Sequence, residues 1–287
     1  MPKAEINGLT VHYQQRGQGP DLVMIHGLFS NLAFWYLSVM PELARDFRVT
    51  VYDLRGHGYS DMPPHGYTSG DMAIDLHALL ERLGIERTHI VGHSFGGAVA
   101  LHHTAIHPER VLSLTMADAR VPCLQPALPP RSARRWRVRH ARLRQAGIEV
   151  PEDLPRVVYS FFEELARLPS WGEGKGFDLA GATALLGGWN GNSRAARRWF
   201  QLVRTTSAPA DLADVSGLTV DRIRQVAQPT LAIFGQYSGC LTTLRGLEEH
   251  LPNCRRVIVH GVGHFHPVLK PETFVQKLRQ FILCLEG

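Results

Sequence analysis

Ile90-Val91-Gly92-His93-Ser94-Phe95-Gly96-Gly97 is the stretch on which the reading of this 287-residue chain turns. It holds glycine–x–serine–x–glycine with Ser94 at its centre. An apolar, β-branched run (His89-Ile90-Val91) precedes it, and a run of small residues (Ala98-Val99-Ala100-Leu101) follows, ending at Pro108. Strand, tight turn, helix is the context in which such a serine is held out from the backbone as a nucleophile. Gly92 and Gly96 are required where a Cβ would clash across that turn. The helix behind points its first N–H groups at any negative charge that develops beside Ser94. The plainer alternative is a glycine-rich turn with an incidental serine, and the surroundings of the motif argue against it.

Working outward, strands and helices alternate. Glu5 to Tyr13 reads as a hairpin turning at Asn7-Gly8. Leu22-Val23-Met24-Ile25 is a continuous apolar strand, the pattern of burial on both faces, and it ends at His26-Gly27-Leu28-Phe29. Phe47 to Tyr52 is the next strand, ending at Asp53-Leu54-Arg55-Gly56-His57-Gly58. Thr68 and Asp71 form a capping box for a helix that carries Ala73, Leu76, Leu79, Leu80 and Leu83 on one side, with Gly84 just past its end. Val111 to Met116 is a strand ending at Ala117-Asp118-Ala119. Such alternation predicts a mostly parallel sheet covered on both faces.

The rhythm stops from about Arg120 to Gln228, a segment rich in Arg, Pro, Gly and Trp. Helices are expected near 131–145, 152–167, 193–205 and 219–226, forming a cap over the site. The sheet resumes at Pro229 to Phe234 and closes with Arg255 to Val259, followed by Gly261-Val262-Gly263-His264. A last helix from Pro271 carries an apolar stripe of Phe274, Leu278, Phe281, Ile282 and Leu285.

Composition limits the function classes. The chain is 44% apolar and 20% charged, as a globular protein with a large core should be. Its apolar runs fall far short of the ~20 residues that cross a bilayer, so no membrane span is expected. Met1-Pro2-Lys3-Ala4-Glu5 leads into no signal segment, and the expected location is cytoplasmic. Cys123, Cys240, Cys254 and Cys284 have no paired spacing, so neither a metal site nor a disulfide framework is indicated. The net charge of +5 is uneven: Arg131 to Arg144 contains seven arginines and no carboxylate. Ala133, Trp136, His140 and Leu143 give that run one apolar helical face. It is either a solvated face or a patch that attracts an anionic substrate or an acyl carrier's phosphate. No nucleic-acid module accompanies it.

Together, His26-Gly27, Asp53-x-Arg55-Gly56-His57-Gly58-x-Ser60, Gly92-x-Ser94-x-Gly96-Gly97 and Gly263-His264 resemble the α/β-hydrolase fold family, in its cap-bearing branch of serine hydrolases. That branch includes esterases, thioesterases and carbon–carbon bond hydrolases. The resemblance implies an α/β fold: a mostly parallel eight-stranded sheet flanked by helices, with a helical cap inserted after strand 6. Residues 1–120 and 229–287 would be the core and 121–228 the cap. It implies Ser94 as nucleophile and His264 as base, with the backbone N–H groups of Phe95 and Leu28 as oxyanion hole, and neither cofactor nor metal. His93 and His57 are the other histidines beside these motifs. The elbow points His93 away from Ser94, and His57 belongs to a motif that is structural in this family.

One position departs from the family. The usual acid would lie three residues after Gly235, where this chain has Ser238. Either the triad has lost its acid or another residue supplies it. Asp118, at the end of the neighbouring strand, occupies the place some members use instead, and Ser238 would then bond the imidazole or the acid. The expected reaction is cleavage of an ester, thioester or activated carbonyl of a mainly apolar small molecule through an acyl-enzyme. Phe161, Phe162, Trp171, Trp189, Trp199 and Phe200 are suited to lining the pocket. A serine at the elbow argues against dehalogenase and epoxide hydrolase chemistry, which uses a carboxylate there. A carbon–carbon bond hydrolase, a cofactor-free perhydrolase and a non-catalytic ligand-binding receptor on the same fold are the competing readings.

Overall fold

The computed structural model describes residues 1–126, 194–212 and 214–286. Eight strands make one sheet: β1 (Lys3–Ile6), β2 (Leu9–Arg16), β3 (Asp21–Ile25), β4 (Arg48–Tyr52), β5 (Thr88–His93), β6 (Val111–Ala117), β7 (Thr230–Gly235) and β8 (Cys254–Val259). Their order is β1-β2-β4-β3-β5-β6-β7-β8. The β1–β2 hairpin joins antiparallel, and every pairing from β4 to β8 is parallel. Parallel strands need helices beside them, and the main helices among the described residues are α1 (Ser69–Arg82), α2 (Phe95–Ile106), α3 (Arg194–Thr205, in the inserted segment), α4 (Leu241–His250) and α5 (Pro271–Glu286).

The central strands are apolar throughout because both their faces are covered. β3 buries Leu22, Val23, Met24 and Ile25, and β7 buries all six of its residues. α1 opens with the expected capping box: Thr68 Oγ1 accepts from Asp71 N–H, and the Asp71 carboxylate accepts from Thr68 N–H. α5 buries Phe274, Leu278, Phe281 and Ile282 in the same core, with the Phe274 ring 5.5 Å from that of Trp35.

The loop after β4 is built around the buried Asp53. Its carboxylate accepts from Leu32 N–H (2.7 Å), Tyr59 N–H (2.9 Å) and His12 Nδ1 (2.7 Å). Burial alone would raise Asp53, but these donors and the nearby His26 hold it below the usual carboxylate range. Arg55 clamps Asp75 on α1 through two 2.6 Å bonds, which ties the loop to the helix layer. The Asp53-to-Ser60 motif is thus a scaffold for the loops that meet at the C-terminal edge of the sheet.

Of the expected cap helices, 193–205 is observed as α3 and 219–226 as Val220–Arg224. Those near 131–145 and 152–167, the arginine run, Phe161, Phe162, Trp171 and Trp189 lie outside the described residues. α3 rests on the loops after β3 and β4. Its Trp199 ring lies 3.7 Å from that of Phe29, tilted by 36°, and Arg198 donates to the Ser60 carbonyl. Among the described residues no helix is long and apolar enough to cross a membrane.

Candidate active site

β5 ends at His93, and the chain turns into α2 through a single residue. Ser94 sits at φ 54°, ψ −121°, a region that non-glycine residues enter only when the surroundings force them, at a cost of about 1–3 kcal/mol. The surroundings are very tight. A Cβ on Gly92 would come 2.3 Å from the Gly96 carbonyl oxygen, and one on Gly96 2.4 Å from that of His26. Ser94 N–H is held by the Ala117 carbonyl (3.2 Å), and Arg120 N–H donates to the Ser94 carbonyl (3.0 Å). The hydroxyl is therefore presented at a fixed place above the sheet edge.

His264 reaches it from the loop after β8, with Nε2 3.0 Å from Ser94 Oγ. The other ring nitrogen, Nδ1, lies 2.9 Å from Asp118 Oδ1. Asp118 follows β6 and is fully buried, with φ 48°. Its second oxygen accepts from Gly235 N–H at 2.7 Å, and Ser238 Oγ–H donates to Oδ1. Burial disfavours this carboxylate's charge. His264, His266 and the Ser238 hydroxyl outweigh burial and keep Asp118 below its ordinary value. A buried acceptor with three donors is ionised and immobile, which holds Nδ1–H of His264 toward the acid. Burial works against the ring's charge, but Cys240 and Asp118 outweigh it and raise His264 well above an ordinary imidazole, making Nε2 a strong base toward Ser94.

The fold thus brings Ser94, His264, Asp118 and Ser238 together in one hydrogen-bonded line. Ser238 bonds the acid rather than the imidazole. Removing one donor from a buried charge costs about 1.5–3 kcal/mol, so Ser238→Ala is expected to lower unfolding stability by about that much in denaturant titrations. Its effect on turnover should be far smaller than that of losing Asp118.

Leu28 and Phe95, the expected oxyanion pair, flank the serine. Phe95 is the first residue of α2. Leu28 lies in the turn after β3, between Gly27, where a Cβ would come 2.8 Å from that of Ser94, and Phe29 at φ 63°. The side chain of His26 shapes this turn. Leu54 N–H donates to its Nε2 (3.1 Å), so Nδ1 carries the proton and donates to the Gly27 carbonyl (2.7 Å). Burial lowers His26 and keeps it neutral, as both bonds require.

His93 has a place in the site that the sequence did not suggest. Its Nε2–H donates to the His264 backbone carbonyl (2.9 Å), and its ring stacks on Phe34 at 4.4 Å. Burial drives His93 well below an ordinary imidazole, so it stays a neutral donor. His57 bonds the Arg55 carbonyl through Nδ1 (2.9 Å) and faces His26, a structural role.

The model of the alpha/beta hydrolase fold family matches residues 20–271. A pimeloyl-[acyl-carrier protein] methyl ester esterase from Aeromonas hydrophila subsp. hydrophila is 27% identical over 96% of this chain and 100% of its own length. A 2-hydroxymuconate semialdehyde hydrolase from Pseudomonas sp. (strain CF600) is 40% identical over 113 residues, 38% of this chain and 40% of that protein. Several other relatives are likewise matched over about half of their length or less. Among solved structures, an esterase, RhEst1, from Rhodococcus sp. ECU1013 superposes with a TM-score of 0.72 at 25% identity, covering 99% of this chain and 98% of that one. With a family match across most of its length and the eight-stranded sheet to go with it, this chain belongs to the alpha/beta hydrolase fold family and is a hydrolase.

Proposed function

We propose that the chain is a serine hydrolase that cleaves an ester, thioester or activated carbonyl of a mainly apolar small molecule through an acyl-enzyme. The observation that carries this is the unbroken line from Ser94 Oγ through His264 to Asp118, with contacts of 3.0 and 2.9 Å. Ser94 Oγ attacks the substrate carbonyl carbon while His264 Nε2 takes its proton. The oxyanion is held by the N–H groups of Phe95 and Leu28, each of which is worth about 10²–10³ in rate in comparable sites. His264 then protonates the leaving group. A water, deprotonated by the same nitrogen, releases the acid and restores Ser94. Asp118 keeps its charge throughout and stabilises the imidazolium.

The full-length match to a methyl ester esterase favours a carboxylic ester as substrate. Carbon–carbon bond hydrolysis is the second reading, supported by the partial match to a semialdehyde hydrolase. The matched dehalogenase and epoxide hydrolase do not carry over, because Ser94 stands where those chemistries need a carboxylate. An acyl carrier or other anionic partner held by the arginines of 131–144 would make activity on anionic, but not neutral, esters fall with ionic strength.

The reading is tested with a serine-directed fluorophosphonate and a panel of p-nitrophenyl esters of graded chain length. Stoichiometric labelling at Ser94 and a burst of p-nitrophenol ahead of steady turnover are expected. An unlabelled serine in folded protein would instead make the chain a ligand-binding member of the fold.

A further inference from the structure

The residue two places after Ser238 is the buried Cys240, at the N-terminus of α4. Its Sγ lies 3.7 Å from His264 Nδ1, on the side of the ring already occupied by Asp118. One ligand atom from each of Asp118, Cys240 and His264 falls within 4.8 Å of the other two. The mechanism proposed above uses Asp118 and His264 and has no task for the thiol. We propose that these three side chains form a binding site for a thiophilic divalent cation of the zinc type, and that filling it switches Ser94 off.

The two separations from the imidazole nitrogen support the site. A zinc ion sits about 2.05 Å from an imidazole nitrogen, 2.3 Å from a thiolate and 2.1 Å from a carboxylate oxygen. On the observed 3.7 Å N···S and 2.9 Å N···O separations those lengths give angles at the metal of about 116° and about 89°. Both lie within about 20° of a tetrahedron. The three ligands come from the end of β6, the start of α4 and the loop after β8, so they are held by separate rigid elements. Charge also closes: a dication with one thiolate, one carboxylate and one neutral imidazole is neutral, which is what a buried ion requires.

On binding, the thiol releases its proton to water, and sulfur gives its electron pair to the metal. The ring keeps one proton, on Nε2, releases any second one to water, and Nδ1 becomes the metal's nitrogen ligand. Nε2–H then donates to Ser94 Oγ instead of accepting from it. The serine keeps its proton, and no base remains.

This inference rests in part on the serine-hydrolase reading, so the site is measured first without any substrate. The chelator-treated full chain is titrated with Co²⁺. One equivalent is expected to bind with a near-ultraviolet thiolate-to-cobalt charge-transfer band that Zn²⁺ bleaches. The band should be lost in both Cys240→Ala and Cys240→Ser and kept in Cys123→Ala. Zn²⁺ should then inhibit ester hydrolysis reversibly, with chelator restoring the rate. Each Cys240 variant, compared with its own metal-free rate, should need about tenfold more Zn²⁺ or greater. A band that survives in the Cys240 variants, or the absence of any band at millimolar Co²⁺, overturns the site. A cobalt band in protein whose Ser94 is inert to fluorophosphonate would uphold the site and sink the hydrolase reading instead.

Discussion

Asp118→Asn is expected to lower kcat by about 10⁴ while leaving the fold intact, the size of loss seen when a triad histidine is held in the wrong tautomer. The reason lies in who donates to the side chain. Gly235 N–H, fixed by the sheet, points at one carboxylate oxygen at 2.7 Å. An asparagine at 118 must offer its carbonyl there, which aims its NH₂ at the position now shared by Ser238 Oγ and His264 Nδ1. The serine hydroxyl can rotate to accept. The ring can answer only by moving its proton to Nε2, where it blocks proton transfer from Ser94. Stopped-flow and steady-state kinetics on p-nitrophenyl esters check the loss, with thermal unfolding as the control for folding. If Ser238→Ala cost more turnover than Asp118→Asn, the acid would be misassigned.

That asparagine argument could be made from sequence only in outline. The elbow was legible because its requirements are local: glycines two residues either side of Ser94, a β-branched run before and small residues after. The sheet strands were equally legible, each observed within about three residues of its expected ends, the central ones because strands buried on both faces are continuously apolar. The acid was harder to read. Nothing local to Asp118 marks it, and only the resemblance, together with the serine at 238, pointed there. Contacts between distant segments left no periodic trace at all. His93 bonds a carbonyl 171 residues away, and His26 reads as part of a motif without revealing that its ring braces the turn beside Ser94. Helix α4 was missed for another reason. Leu241-Thr242-Thr243-Leu244-Arg245-Gly246 contains β-branched residues and a glycine, poor helix formers in isolation. The structure puts that glycine against Leu124, whose side chain would lie 3.1 Å from any Cβ there, so tertiary packing overrides the local preference.

Buried histidines also set the lower pH limit of the fold. His26, His57 and His103 are all held neutral by burial, and His57 and His103 are pushed down to about 3. Their neighbours add to this. His26 and His57 face each other with Arg198 nearby, and Asp53 is the counter-charge that acts on both. His103 faces His77, His107 and Arg110, and neither of its ring nitrogens has a hydrogen-bond partner among the described residues. For a base whose folded value is lowered, the unfolded chain binds more protons, so stability is full above the unfolded value of 6.5 and falls as the pH drops through it. Each such histidine costs about 1.4 kcal/mol between pH 7.5 and 5.5 if it stays neutral in the fold. His57 and His103 together amount to roughly 3 kcal/mol, a large part of the about 5–15 kcal/mol that holds a typical domain together, and His26 adds to it in the same direction. Urea unfolding at the two pH values should therefore show a much lower midpoint at pH 5.5. Protonating His26 would also cost its bond from Leu54 N–H and loosen the turn that carries Leu28. His103→Leu, which replaces an unbonded buried ring by an apolar side chain, should return about 1.4 kcal/mol of the acid loss and leave the neutral-pH kinetics alone. A stability that did not change between pH 7.5 and 5.5 would mean these rings take up protons inside the folded protein, and that the hydrogen bonds assigned to His26 are not the ones that hold the turn.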